Sequence, residues 1–233
     1  MNSKSIKKNL MNLRAEILTA CKSSGRPPDS VKLLAVSKAQ NMNAIKAAYS
    51  EGQLEFGESY LQEAKDKITQ LPNANWHYIG AIQSKKTKEI ANKFSWVHSI
   101  DSEKVARRLS EQRENAKEDL KILIQVNISR DKRKRGVMPE EISKLARKIN
   151  SLPRLCMAGL MAIPSLSETD LQSELSFREL KQIGDQLRSN YGFEECRHLS
   201  MGMSADFVSA IREGATWIRI GSKIFGMRIK EKA

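Results

Sequence analysis

A lysine stands directly after a short apolar run in LLAVSK, residues 33–38. A primary amine held against an apolar strand end loses hydration while charged, so its pKa falls and more free amine is present. A free amine condenses with an aldehyde to a Schiff base. The plainer alternative for Lys38 is an ion pair with an acid such as Glu58. A second stretch, HLSMGMSADFVSAIREG at 198–214, leads from a strand through Ser200 and Gly202 to Ser204, the expected N-cap of an amphipathic helix. Hydroxyls, glycines and a helix N-terminus make an anion site. A third stretch, WIRIGSKIFGMR at 217–228, puts Trp217 and Arg219 on one strand face and Ile218 and Ile220 on the other. Gly221 and Ser222 follow, where backbone N–H groups can approach a phosphate; plain tight turns are the alternative for each glycine.

These groups must be brought together by the elements that carry them. Eight short apolar runs alternate with helical patterns: 33–37, 54–58, 76–80, 94–100, 121–127, 155–163, 196–202 and 217–221. Strand-helix alternation implies parallel strands joined by right-handed crossovers. Eight repeats predict a TIM-type (β/α)8 barrel, with a doubly wound open sheet as the competing arrangement. Ile6, Leu10, Leu13, Ile17 and Leu18 recur at helical spacing and predict an extra N-terminal amphipathic helix, not a signal peptide. Residues 1–233 are expected to form a single barrel domain. In a barrel the C-terminal strand ends share one face, where Lys38, Glu58, Gly80, Asn127, Met161, Ser200 and Gly221 would meet.

Composition sets outer limits. The chain has 233 residues, 40% hydrophobic and 29% charged, the balance of a soluble globular protein. No apolar run is long enough to span a membrane. Cys21, Cys156 and Cys196 are too widely spaced for a disulfide framework or a zinc site, which points to a reducing, cytoplasmic setting. A net charge of +13 favours anionic ligands or a solvated basic surface. RDKRKRG at 130–136 is the densest basic run; it is a solvated loop, a nucleic-acid contact, or a means of concentrating phosphorylated ligands at the rim.

An amine and a phosphate site across one barrel mouth fit an aldehyde that carries a phosphate, and pyridoxal 5′-phosphate has both. Arg219 on the last strand could face its ring nitrogen, keep that nitrogen unprotonated and weaken the ring as an electron sink.

The chain also resembles the pyridoxal phosphate homeostasis family (the YggS/PROSC type), itself similar to the N-terminal barrel of alanine racemase. The resemblance rests on LLAVSK at 33–38, FGESYLQEAKDK at 56–67, WHYIGAIQSKK at 76–86, QVNIS at 125–129, GLMAIP at 159–164, LSMGMSADFVSAI at 199–211 and IRIGSKIFGMR at 218–228. It implies a barrel that holds pyridoxal 5′-phosphate as a Schiff base on Lys38. It implies that Ser200, Gly221 and Ser222 hold the phosphate and that Arg219 meets the pyridine nitrogen. Ser59 and Met201 complete the implied cofactor-binding set. It further implies a role in vitamin B6 homeostasis, supplying or buffering the cofactor for dependent apoenzymes, without robust catalysis. Monomer and weak dimer both remain open.

Three positions depart from the family pattern: Ser59 and Lys85 stand where Asn is usual, and Ser222 replaces a common Thr. Ser59 keeps a donor with shorter reach. The rival reading is a weak amino-acid racemase or transaminase. A racemase needs a second base opposite Lys38. Among the four tyrosines, Tyr49 and Tyr191 fall in or near helices, Tyr78 within a strand, and Tyr60 at a helix start near the rim. His77 and His98 are expected in the barrel wall, with His198 on the strand face of Ser200.

Overall fold

Each of the eight apolar runs forms a strand. The computed structural model describes residues 3–113, 118–165 and 169–226. The strands are β1 (Lys32–Val36), β2 (Glu55–Glu58), β3 (Asn75–Tyr78), β4 (Trp96–Ile100), β5 (Leu120–Val126), β6 (Leu155–Ala162), β7 (His198–Ser200) and β8 (Trp217–Ile220). They are parallel, in chain order, and β8 pairs with β1, so the sheet closes. Closure excludes the open sheet and establishes the TIM-type barrel. Met227 and Arg228, at the end of the run 218–228, lie outside the described residues.

Helices wrap the barrel: α1 (Ser3–Ser23), α2 (Met42–Ser50), α3 (Leu61–Gln70), α4 (Thr87–Lys93), α5 (Glu103–Gln112), α6 (Ile142–Asn150), α7 (Asp170–Tyr191), α8 (Phe207–Arg212) and α9 (Ser222–Phe225). Among the described residues no helix is long and apolar enough to cross a membrane. The N-terminal helix forms and buries Ile6, Leu10, Leu13 and Ile17, whereas Leu18 of the expected stripe is exposed. Each buried side chain of the stripe contributes about 2 kcal/mol of burial. The α1 helix lies across α2, α8 and α9, and Asn9 Nδ2 donates to Ile224 O at 3.0 Å, which ties α9 down. The α7 helix starts earlier than its apolar pattern suggests. Thr169 and Gln172 form a reciprocal capping box, and Gly192 ends the helix in the left-handed region.

Period-two alternation sorts the strand residues. Ala35, Phe56, Trp76, Tyr78, Ile122, Ile124, Leu199, Met201, Ile218 and Ile220 face the helices and join the large outer core. Leu34, Trp96, Leu123, Ala158, Met161 and Trp217 fill the barrel. Trp217 and Ile218 thus lie on opposite faces, as the alternation of WIRIG predicts.

His77 and His98 are fully buried among these interior aromatics; the Trp96 ring stacks on His77 at 5.5 Å. Burial pushes His77 below its usual pKa against the hydrogen bond and charge of Glu55, and pushes His98 well below it. His198 falls to about 4 through burial and the charges of Lys32 and Lys121. A histidine with a lower pKa folded than unfolded binds fewer protons in the native state, so stability rises with pH between the two values. The melting temperature is therefore expected to fall steadily from about pH 7 to about pH 4, and His198→Asn should make that slope shallower. A flat or rising melting temperature over this interval would contradict the assignment.

Candidate functional site

The inward face of β1 carries Lys32, Leu34 and Val36, and the same parity continues to Lys38 in the turn that follows. Lys38 is half-buried and lines a cavity of about 460 Å³ at the C-terminal mouth of the barrel. The turn is tightly held. Ala39 takes a positive φ of 59°, uncommon for a residue with a side chain. Its N–H donates to Glu63 Oε2 at 2.9 Å. On the other side, Ser37 N donates to Gly57 O at 3.0 Å and Ser37 Oγ donates to Glu58 Oε1 at 2.6 Å. Lys67 Nζ donates to Ser37 O at 2.9 Å, to Glu58 Oε1 at 2.8 Å and to Glu63 Oε2 at 3.1 Å. One buried ammonium thus anchors the backbone on both sides of Lys38.

That arrangement corrects two expectations about Glu58. It does not face the mouth, and its ion-pair partner is Lys67 of α3 rather than Lys38. The reason is parity: Glu58 shares a strand face with Phe56, which points to the helices. Burial pushes the Glu58 carboxyl above its usual range, opposed by the charge and hydrogen bond of Lys67. Its Oε2 has no hydrogen-bond partner among the described residues.

Across the cavity, Arg219 is buried in the wall. Its Nη1 donates to Ser200 O at 2.6 Å and Ser200 Oγ at 2.8 Å, and its Nη2 donates to Ala162 O at 3.0 Å. Burial lowers its pKa to about 10, with Asp206 acting the other way, so it stays a cation at neutral pH. Among the described residues it makes no ion pair with a carboxylate.

The third side is made by the segments after β7 and β8. Gly221 and Ser222 line the cavity, and Ser222 Oγ donates to Ser204 Oγ at 2.9 Å. Ser204 is therefore not the helix cap expected from its position. The α8 helix starts later, with Asp206 at its N-cap position, and Asp206 Oδ1 accepts from Met203 N at 2.6 Å. Gly202 makes this turn possible. Its φ is +92°, and a Cβ there would lie 2.6 Å from Ala210 Cβ.

The remaining expected residues divide. Ser59 lines the cavity beside Gly80, where an added Cβ would meet Ser59 O at 2.2 Å. Ser200 is buried beneath Arg219, and Met201 is buried on the helix-facing side of β7; neither is among the cavity lining. Met161 lines the cavity, whereas Asn127 turns away and donates from Nδ2 to Asp131 O at 2.9 Å. Gln40 and Met203 are lining residues that motif spacing did not single out, and Ser204, expected at the anion site as a helix cap, lines the cavity with its hydroxyl instead. Ser204 sits two residues past Gly202 in LSMGMS, and the φ of Gly202 decides where its hydroxyl faces. The basic run 130–136 is largely paired within the chain: Arg130 with Glu140 and Glu179, Arg133 with Asp131, and Arg135 with Asp101. Tyr78 faces the helices and its hydroxyl donates to Ala81 O at 3.1 Å, while Tyr60 is exposed.

The family described as alanine racemase, N-terminal domain, matches residues 8–229. The chain is 44% identical over 227 residues to a Haemophilus influenzae protein named Pyridoxal phosphate homeostasis protein, covering 96% of each. It is similar to the structure of PipY of Synechococcus elongatus PCC7942 with PLP bound. That likeness has a TM-score of 0.84 at 34% identity, over 95% of this chain and all of that one. It is also similar to alanine racemase of Corynebacterium glutamicum, with a TM-score of 0.74 over 100% of this chain and 64% of that one. At 15% identity the last likeness bears on the fold alone.

Proposed function

The chain belongs to the alanine racemase N-terminal domain family, and on that premise we propose that it binds pyridoxal 5′-phosphate in the Lys38 cavity. Its role is then vitamin B6 homeostasis: holding the cofactor and supplying or buffering it for dependent apoenzymes. One observation carries this reading. An amine, a buried guanidinium and a pair of facing hydroxyls border one cavity at the barrel mouth. This donor set fits the group. Lys38 offers a nucleophile for an aldehyde, and Ser204 and Ser222 offer hydroxyl donors for a phosphate. Arg219 has only donors to offer a ring nitrogen.

When bound, pyridoxal 5′-phosphate supplies an electrophilic aldehyde and an electron-withdrawing ring. The chain supplies the amine of Lys38 on a turn fixed by Lys67, and walls of Val36, Ile79 and Met161 that limit water. Arg219 cannot give up its proton at neutral pH, so a ring nitrogen facing it stays an acceptor and the ring stays a weak electron sink. Among the described lining residues, Lys38 and Arg219 are the titratable ones. That combination supports retention over turnover.

The test is a titration with pyridoxal 5′-phosphate and, in parallel, with pyridoxal, which lacks the phosphate. Tight binding of the first and weak binding of the second is expected. Ser204→Ala with Ser222→Ala should weaken the phosphorylated ligand by about tenfold or more, the scale of hydrogen bonds to a charged group, and leave pyridoxal unchanged. Equal affinity for the two ligands in the wild type would refute the reading. Mixing the loaded protein with a cofactor-free transaminase then reports hand-over as a faster gain of transaminase activity than dilution alone allows.

A further inference from the structure

The barrel interior holds a line of polar groups, of which Glu55, His77 and His98 have no part in the cofactor reading. His77 Nε2 lies 2.8 Å from Glu55 Oε2, and His77 Nδ1 lies 2.9 Å from His98 Nε2. His98 Nδ1 lies 2.9 Å from Ser200 Oγ, which in turn is 2.8 Å from Arg219 Nη1. Glu55 opens β2 at the N-terminal end of the barrel, whereas Arg219 borders the cavity at the other end. Four consecutive hydrogen bonds therefore cross the barrel.

The carboxylate end fixes the direction of every link. A carboxylate can only accept and a guanidinium can only donate. Glu55 therefore accepts from His77 Nε2–H. A neutral His77 then has a bare Nδ1, which accepts from His98 Nε2–H. A neutral His98 likewise has a bare Nδ1, which accepts from the Ser200 hydroxyl. Arg219 donates into a remaining lone pair of Ser200 Oγ, which is compatible with that order. Burial holds both rings neutral; burial also pushes the Glu55 carboxyl up, but the hydrogen bonds from His77 and Asn75 and the charge of Lys32 bring it below its usual range. Trp96, stacked on His77, and Trp217, edge-on at 4.9 Å, keep the line dry. In that low-dielectric setting aligned hydrogen bonds strengthen one another. Among the described residues Arg219 is otherwise held by backbone carbonyls alone, with Asp206 acting on it at a distance.

We propose that Glu55 is a positioning residue for Arg219. Through His77, His98 and Ser200 it sets the direction of one hydrogen-bond chain that crosses the barrel, and that chain holds the guanidinium in place at the cavity wall. The inference does not depend on which ligand the cavity takes.

Long-range proton–nitrogen NMR correlations on the full, ligand-free chain test it, helped by there being only three histidines. His198, outside the line and beside Thr216, serves as the internal reference. Expected at neutral pH are bare Nδ1 and protonated Nε2 on both His77 and His98, with slowly exchanging Arg219 Nη protons. Glu55→Gln keeps the shape, but its carboxamide can donate or accept, so the direction is no longer enforced. His98, which Glu55 does not touch, should then show mixed tautomers, and the Arg219 Nη signals should be lost to exchange. Asn75→Ala removes the other hydrogen bond to Glu55, at 3.0 Å, and should leave both signatures as in the wild type. The proposal is overturned by a wild-type His98 protonated on Nδ1, by Glu55→Gln leaving His98 and Arg219 unchanged, or by Asn75→Ala shifting them equally.

Discussion

Lys38→Ala will stay folded and will no longer retain pyridoxal 5′-phosphate through desalting, whereas the wild type will keep close to one equivalent. The expectation follows from where the residue sits. Lys38 is half-buried in a turn that is held through its neighbours, Ser37 and Ala39, by bonds to Glu58, Glu63 and Lys67, and these survive truncation at 38. Truncation therefore removes a nucleophile without opening a core cavity. What remains is the Ser204–Ser222 hydroxyl pair and Arg219, which offer hydrogen bonds and charge but no covalent attachment. Lys38→Arg sharpens the result. It keeps the positive charge but offers no amine for carbonyl condensation, so it should behave like Lys38→Ala in covalent retention. Its affinity for free phosphate should stay close to that of the wild type. Near-visible absorbance after desalting is the measurement. Full retention by Lys38→Ala would show that the amine plays no part.

The largest stability effect is expected at a residue with no contact to the cavity. Lys67→Met leaves the Glu58 carboxylate buried, with one oxygen already unpartnered. Breaking a buried pair from one side costs about 3–5 kcal/mol, or roughly 10 °C in melting temperature for a chain of this size. The double variant Glu58→Leu with Lys67→Met removes both charges and should recover most of that loss. The single variant also has a definite pH dependence. The Glu58 carboxyl already lies above its usual range, and loss of Lys67 drives it higher. A carboxyl with a raised folded pKa favours the native state at low pH, and that contribution is lost as pH rises through the folded value. The deficit of Lys67→Met should therefore be larger at pH 8 than at pH 5. Thermal melts of the four proteins of this cycle at both pH values decide the matter. A single variant as stable as the wild type, or a deficit independent of pH, would refute the assignment.

Much of this was legible in the residues, because strand parity is a local property. Lys32, Leu34, Val36 and Lys38 share a face by counting in twos, and so do Trp217 and Arg219; the barrel places both sets inward. The same count applied to Phe56 and Glu58 would have turned Glu58 toward α3 and away from Lys38. What local counting cannot supply is register between distant strands. Glu55, His77, His98 and Ser200 come from four strands of the closed sheet, and only the register of those strands together with barrel closure brings their polar atoms within hydrogen-bond reach. The role of Ser204 was misjudged for a different reason. A serine shortly before a helical pattern has the pattern of an N-cap, and the positive φ of Gly202 redirects the chain so that its hydroxyl meets Ser222 instead.

The most direct measurement is borohydride reduction of the wild-type protein in the presence of one equivalent of pyridoxal 5′-phosphate, followed by protease digestion and peptide mass analysis. A single pyridoxyl phosphate adduct on Lys38 is predicted, with the other lysines unmodified. An adduct spread over surface lysines, or a fully unmodified Lys38 peptide, would contradict it.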